Sequence, residues 1–209
     1  FIMQITESFI IIAFNSSLQK YGGDVAVGAM TILSASMQFT FLPLSGLTQG
    51  AQPIMSYNYG ARNGERMKKT FKYLFISSVV YSSMFWLLMM IAPGLFSKIF
   101  TKDKAIIDMA TFGIRVYMAG VFALGVQIAC QQTFIALGNA KTSLFLALLR
   151  KVFLLMPLVL ILPKFLSNKV FAVFLAEPIS DIIAATVTGI LFYRQFNEVL
   201  LDMPDIHSS

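Results

Sequence analysis

Apolar runs of about twenty residues recur along the whole sequence, separated by short polar links. Each run is long enough to cross a hydrocarbon layer of about 30 Å as a helix. That recurrence limits the fold more than any other feature, because within lipid every backbone N–H and C=O has to find its partner inside the chain. The runs lack the period-two alternation of membrane strands, so they read as helices. Composition agrees, with 57% of residues hydrophobic and 12% charged, against about 25% charged in soluble domains. The fold class is therefore all-α and integral to a membrane.

The spacing predicts six spans, over 1–18, 25–57, 71–96, 107–137, 143–162 and 170–193. They form one six-helix transmembrane bundle over 1–196, followed by a polar C-terminal tail over 197–209. Short links favour antiparallel neighbours. The second span reaches about 50 Å at 1.5 Å per residue, so it has to tilt, bend or project. It is entered through Tyr21-Gly22-Gly23-Asp24 and interrupted by Pro43 and Pro53. These prolines leave the carbonyls of Phe39 and Gln49 without their usual partners. A bend near Pro43 is the simplest use of so long a helix. Gly46 and Gly50 form a GxxxG pair that permits close backbone contact. The first residue is Phe and no charge precedes the first run, the pattern expected of a chain cut near the start of a helix.

Sixteen Lys and Arg against ten Asp and Glu give a net charge of +6. Most of these charges sit in the links, where they read as topology signals rather than as a surface for nucleic acid. The densest group, Arg62, Arg66, Lys68, Lys69 and Lys72 against Glu65, assigns its link to the cytoplasmic side. Cys130 is the single cysteine and His207 the single histidine. Neither a disulfide framework nor a Cys or His metal cluster is expected. With no Ser-His-Asp set and no phosphate loop, the sequence argues against an enzyme and implies no cofactor.

Polar residues inside the spans carry the functional signal. Ser34, Gln38, Ser45, Gln49, Gln52 and Ser56 follow one another at steps of three and four, with Leu42 the one interruption, and so share a helix face. Such a face serves either helix–helix hydrogen bonding or the wall of a substrate cavity. Gln127 and Gln131 form a second neutral face on the fourth span. Glu7, with Gln4 and Ser8 beside it, is a carboxylate in the first span. Depth is costly for a charge, by about 2.5 kcal/mol or more. It either holds a cation or reaches back to the interface. Glu177 and Asp181, four residues apart on the sixth span, stack on one face. Arg150 on the fifth span lies at a similar depth, about 14 to 18 Å from the shared end. An Arg150–Asp181 ion pair is predicted, leaving Glu177 the freer carboxylate.

The stretch GLTQGAQPIMSYNYGA over 46–61 has Tyr21-Gly22-Gly23-Asp24 ahead of it and the basic link behind. It resembles the seventh-to-eighth helix region of the multidrug and toxic compound extrusion (MATE) family. The likeness continues through ALGNAK at 136–141, LLRK at 148–151 and AEPISD at 176–181. It implies one lobe, helices seven to twelve, of a twelve-helix exporter whose partner is an N-terminal lobe of the same chain. It also implies alternating-access export of small-molecule organic cations and drugs, coupled to H+ or Na+, by a multi-pass protein of the bacterial plasma membrane surrounded by lipid. Glu7 falls where some members carry a cation-site acid on the seventh helix. The aspartate those members carry on the tenth helix has no counterpart around Val126 and Gln127. On this reading Glu7 couples the cation, and Gln4, Ser34, Gln38, Gln49, Gln52, Gln127 and Gln131 line the substrate cavity. Two rivals remain. A lipid-linked oligosaccharide flippase of the wider superfamily needs a strongly basic cavity, for which only Arg150, Lys151 and Arg115 are available. A non-transporting membrane scaffold needs no buried carboxylates.

Overall fold

The computed structural model describes residues 2–201 of the chain, with side chains from Thr6 onward. Its first helix, α1 (Ile2–Gly60), has 59 residues and would reach about 88 Å if straight. It is not straight. Gly23 takes φ 61° and ψ −160°, a conformation that a side chain makes costly and glycine adopts freely. The chain turns back there. Ile10, Phe14 and Leu18 of the first arm share a core with Ala29, Leu33 and Met37 of the second. Across the turn, Gln19 Nε2 donates to Asp24 Oδ1 at 2.9 Å.

The turn at Gly23 falls within the expected entry to the second span at Tyr21-Gly22-Gly23-Asp24. The second arm keeps helical dihedrals through both prolines. The Phe39 carbonyl that Pro43 leaves free accepts the Tyr81 hydroxyl at 2.7 Å, so the helix has no need to open there. Gly46 and Gly50 face open space where a Cβ would stand, and among the described residues the GxxxG pair makes no close helix contact. The close approach lies elsewhere. A Cβ on Gly125 would stand 2.5 Å from the Ser78 carbonyl.

After a turn at Ala61 and Arg62, Asn63 caps α2 (Gly64–Ile91), its side chain accepting the Arg66 N–H at 3.0 Å. Pro93 starts α3 (Pro93–Phe100). The residue before a proline disfavours helix, so the expected span over 71–96 is two helices meeting at Ala92. Asp103 caps α4 (Lys104–Tyr117), which meets α5 (Val121–Ala136) at a 53° bend. This breaks the expected continuous span over 107–137. The cause is a crossing with the last helix: a Cβ on Gly120 would lie 2.9 Å from the Pro178 Cα. Asn139 caps α6 (Ala140–Leu148). A π-helical turn at Leu149–Leu155 leads into α7 (Met156–Phe165), and α8 (Lys169–Leu201) closes the described chain. α8 runs past 196 into the stretch expected to be tail, because Val199 and Leu200 pack onto the Phe192–Phe196 cluster. Residues 202–209, with His207, lie outside the described residues.

α2 packs on α1 and α5, α4 on α1, and α8 on α5, α7 and the π-helical turn. Outward faces carry Phe9, Ile12, Leu42, Ile91 and Phe165, all exposed. Such faces suit lipid, which rewards apolar contact. Among the described residues four helical stretches are long and apolar enough to cross a membrane, and a fifth if the bent α4–α5 pair counts as one span. The chain is a multi-pass membrane protein.

Candidate substrate cavity

The two arms of α1, together with α4, α5, the π-helical turn and α8, line an open-sided cavity of about 540 Å³. The first arm contributes Glu7, Ile10, Phe14 and Asn15, and the second Ser34, Met37, Gln38, Phe41 and Ser45. Tyr117 comes from α4, Gln127, Gln131 and Gln132 from α5, Arg150 and Lys151 from the π-helical turn, and Glu177 from α8. Aromatic and aliphatic walls with a few charged groups suit an amphipathic ligand.

The π-helical turn sets the charges. It lies just before Pro157, which has no N–H to continue the i→i+4 pattern. The Met156 N–H bonds the Lys151 carbonyl, five residues back. Neighbours on a regular helix point well apart around the axis, yet Arg150 and Lys151 both reach this cavity. Such widened turns recur at functional sites.

Arg150 is gripped from α8. Its Nε donates to Asp181 Oδ1 at 2.6 Å and its Nη2 to Glu177 Oε1 at 3.0 Å. The Tyr117 side chain lines the cavity together with Glu177. The Arg150 guanidinium sits 5.5 Å from the centre of the Phe41 ring, within cation–π range. The three charged residues are 6%, 6% and 0% exposed for Arg150, Glu177 and Asp181. The predicted Arg150–Asp181 pair is present. Glu177 is not free, however. A guanidinium has five N–H donors in a fixed fork, and carboxylates one helical turn apart on α8 fall within reach of both prongs. Asp181 Oδ2 and Gln127 Oε1 are buried and accept no hydrogen bond among the described residues.

A second ion pair joins Lys151 to Glu7. It is more open than the first, with the Lys151 side chain 24% and the Glu7 side chain 46% exposed.

Of the residues singled out in the sequence, Glu7, Ser34, Gln38, Gln127, Gln131, Arg150 and Glu177 line the cavity, and Asp181 lies behind them. The Gln4 side chain lies outside the described residues. Gln49 and Gln52 do not line the cavity: Gln49 is exposed and Gln52 half-buried. The polar stripe keeps its face, but the first arm does not reach so far. Counted back from Gly23, its start at Ile2 lies opposite residue 44 or so of the second arm. Farther down, Ser56 donates instead to the Ala136 carbonyl at 2.9 Å. The sequence reading missed Lys151 as the partner of Glu7 and Arg150 as the partner of Glu177. Lys151 was visible as a charge at depth, but helical geometry gave no reason to turn it toward the same cavity as Arg150.

The family model described as MatE matches residues 1–162. The multidrug export protein MepA of Staphylococcus aureus (strain N315) is 27% identical over 192 residues, which is 91% of this chain and 42% of MepA. MepA of Staphylococcus saprophyticus is 26% identical over the same share of each chain. Among solved structures, the MATE multidrug transporter DinF-BH is similar at a TM-score of 0.81 and 32% identity, over 96% of this chain and 44% of that one. An outward-facing and an inward-facing MATE family transporter of the MOP superfamily match at TM-scores of 0.86 and 0.85, each at 16% identity. They cover 95% and 96% of this chain and 44% and 46% of theirs. The chain spans less than half the length of the curated relatives it matches.

Proposed function

The chain belongs to the MatE family, and from the cavity we propose that it forms one wall of a cation-coupled exporter of organic cations in a bacterial plasma membrane. The observation that carries this reading is the cavity itself, in which Glu7 and Glu177 stand among Phe14, Phe41, Ile10 and Met37. Carboxylates recognise the charge of an organic cation and the apolar wall takes its body. Counting both arms of α1, the bent α4–α5 pair and the remaining long helices, the chain supplies six spans. On this reading they are one lobe of a twelve-helix protein, with an N-terminal lobe of the same protein as the opposite wall. The fold resembles outward-facing and inward-facing relatives equally well, which supports a lobe that moves as a body while the two lobes rock.

Coupling follows from competition. Glu7 holds either the coupling ion, H+ or Na+, or the organic cation, and a site that serves both in turn links their movements. Ser34, Gln38, Gln127 and Gln131 orient the ligand through neutral hydrogen bonds. A lipid-linked oligosaccharide flippase is disfavoured, since Arg150 and Lys151 both meet carboxylates and offer no unpaired charge to a pyrophosphate. A scaffold role leaves the charged cavity wall without a use.

The test is efflux of a fluorescent organic cation from proteoliposomes, with imposed proton or sodium gradients. Efflux that rises with one gradient and collapses when it is dissipated is the expected result. Efflux indifferent to both gradients overturns the coupling, and no movement of any organic cation overturns the transport reading.

A further inference from the structure

Three carboxylates and two tethered cations meet at this cavity. Arg150 serves Asp181 and Glu177 together, and Lys151 serves Glu7. With all five ionised, the cluster holds one negative charge more than its own cations neutralise. Tyr117 is the remaining titratable side chain among the described lining residues. The two cations differ in freedom. Arg150 is buried and held by both prongs of its fork, while the Lys151–Glu7 pair opens to the cavity. Lysine is a compact point charge on a flexible four-carbon stem, whereas the arginine fork is planar and preorganised. Lysine is therefore the one that moves. Asp181 Oδ2, buried and without a hydrogen bond among the described residues, is an acceptor not yet used.

Resting on the cation-export reading above, we propose that Lys151 is a tethered occupant of the organic-cation site, displaced from Glu7 when a monovalent organic cation binds. The displaced ammonium has Glu177, which lines the same cavity, to receive it. Arg150 then releases Glu177 and turns its freed N–H to Asp181 Oδ2, closing on that carboxylate with two parallel bonds, the geometry guanidinium and carboxylate favour. Each carboxylate then has its own cation: the ligand on Glu7, Lys151 on Glu177 and Arg150 on Asp181. The surplus negative charge is neutralised, so the cavity takes one monovalent cation. No covalent bond changes.

A tethered competitor weakens binding of a free ligand in proportion to the time it holds the site. Removing it tightens binding. An exposed ion pair is worth up to about 1 kcal/mol, which converts to about fivefold in affinity. The experiment uses the full protein in detergent micelles and equilibrium dialysis with tetraphenylphosphonium. Wild type is compared with Lys151→Met, Glu7→Gln and the double variant. Lys151→Met is expected to tighten binding about fivefold, and the gain is expected to vanish when Glu7→Gln is also present. Unchanged or weaker binding by Lys151→Met overturns the proposal, as does a gain that persists without the Glu7 carboxylate. Failure of wild type and every variant to bind tetraphenylphosphonium overturns the cation-site reading itself, a separate outcome. Thermal melts check that each variant folds. If Lys151→Met does not, Lys151→Gln, which keeps a polar tip without the charge, carries the same comparison.

Discussion

Replacing Arg150 with Met tests the buried charge cluster most severely. Met keeps much of the side-chain bulk and removes the guanidinium. Asp181 and Glu177, 0% and 6% exposed, then lose their shared partner. Removing one member of a buried ion pair costs about 3–5 kcal/mol, because the remaining charge is left uncompensated in a poor dielectric. Here one guanidinium serves two carboxylates, so the cost falls at the upper end, about 5 kcal/mol. For a chain of 150–250 residues each kcal/mol moves Tm by about 2–4 °C, and Arg150→Met should lower it by roughly 10–20 °C. Neutralising both acids in the same protein, as Arg150→Met with Glu177→Gln and Asp181→Asn, removes the stranded charge. That triple variant should recover most of the loss, leaving about 1–2 kcal/mol for amides that are imperfectly paired. The assay is thermal unfolding in detergent followed by far-UV circular dichroism. A single variant that melts with wild type refutes the reasoning, and so does a triple variant no more stable than the single.

Three further outcomes follow from particular contacts. Gly125→Ala drives a methyl against the Ser78 carbonyl, 2.5 Å from the ideal Cβ position. Backbone cannot swing aside as a side chain can, so α2 and α5 should separate at a cost of about 1–3 kcal/mol, read as a lower Tm. Tyr81→Phe removes the hydroxyl that bonds the Phe39 carbonyl and should cost about 1 kcal/mol. In a Pro43→Ala background that loss should disappear, because an N–H at position 43 bonds the same carbonyl; the four melts of the cycle decide it. Glu7→Gln should cost no more than about 1 kcal/mol of stability, since its pair with Lys151 is partly exposed, so the same thermal scan should place its Tm within about 4 °C of wild type.

Much of the architecture was legible because lipid leaves few choices. The apolar runs announced membrane helices, and counting depth along two antiparallel spans was enough to join Arg150 to Asp181. The breaks were harder to see. Pro93 stood in the sequence, but the bend at Gly120 depends on its crossing with Pro178, a tertiary contact that local pattern does not encode. The cavity was half legible for the same kind of reason. Ser34, Gln38 and Ser45 line it while Gln49 and Gln52 do not, and the difference lies in where the first arm stands opposite the second. The Lys151–Glu7 pair was hidden by the π-helical turn, since a regular helix would point Lys151 and Arg150 in different directions. Glu177 was misjudged because a carboxylate was paired with one cation at a time, whereas one guanidinium holds two.

The most direct test of the central claim compares wild type with Glu7→Gln in proteoliposomes, measuring efflux of an organic cation as the proton and sodium gradients are varied. Wild-type efflux should follow one of the gradients, and Glu7→Gln should lose that dependence while remaining folded. A Glu7→Gln protein whose efflux follows the gradient as steeply as wild type would contradict that claim.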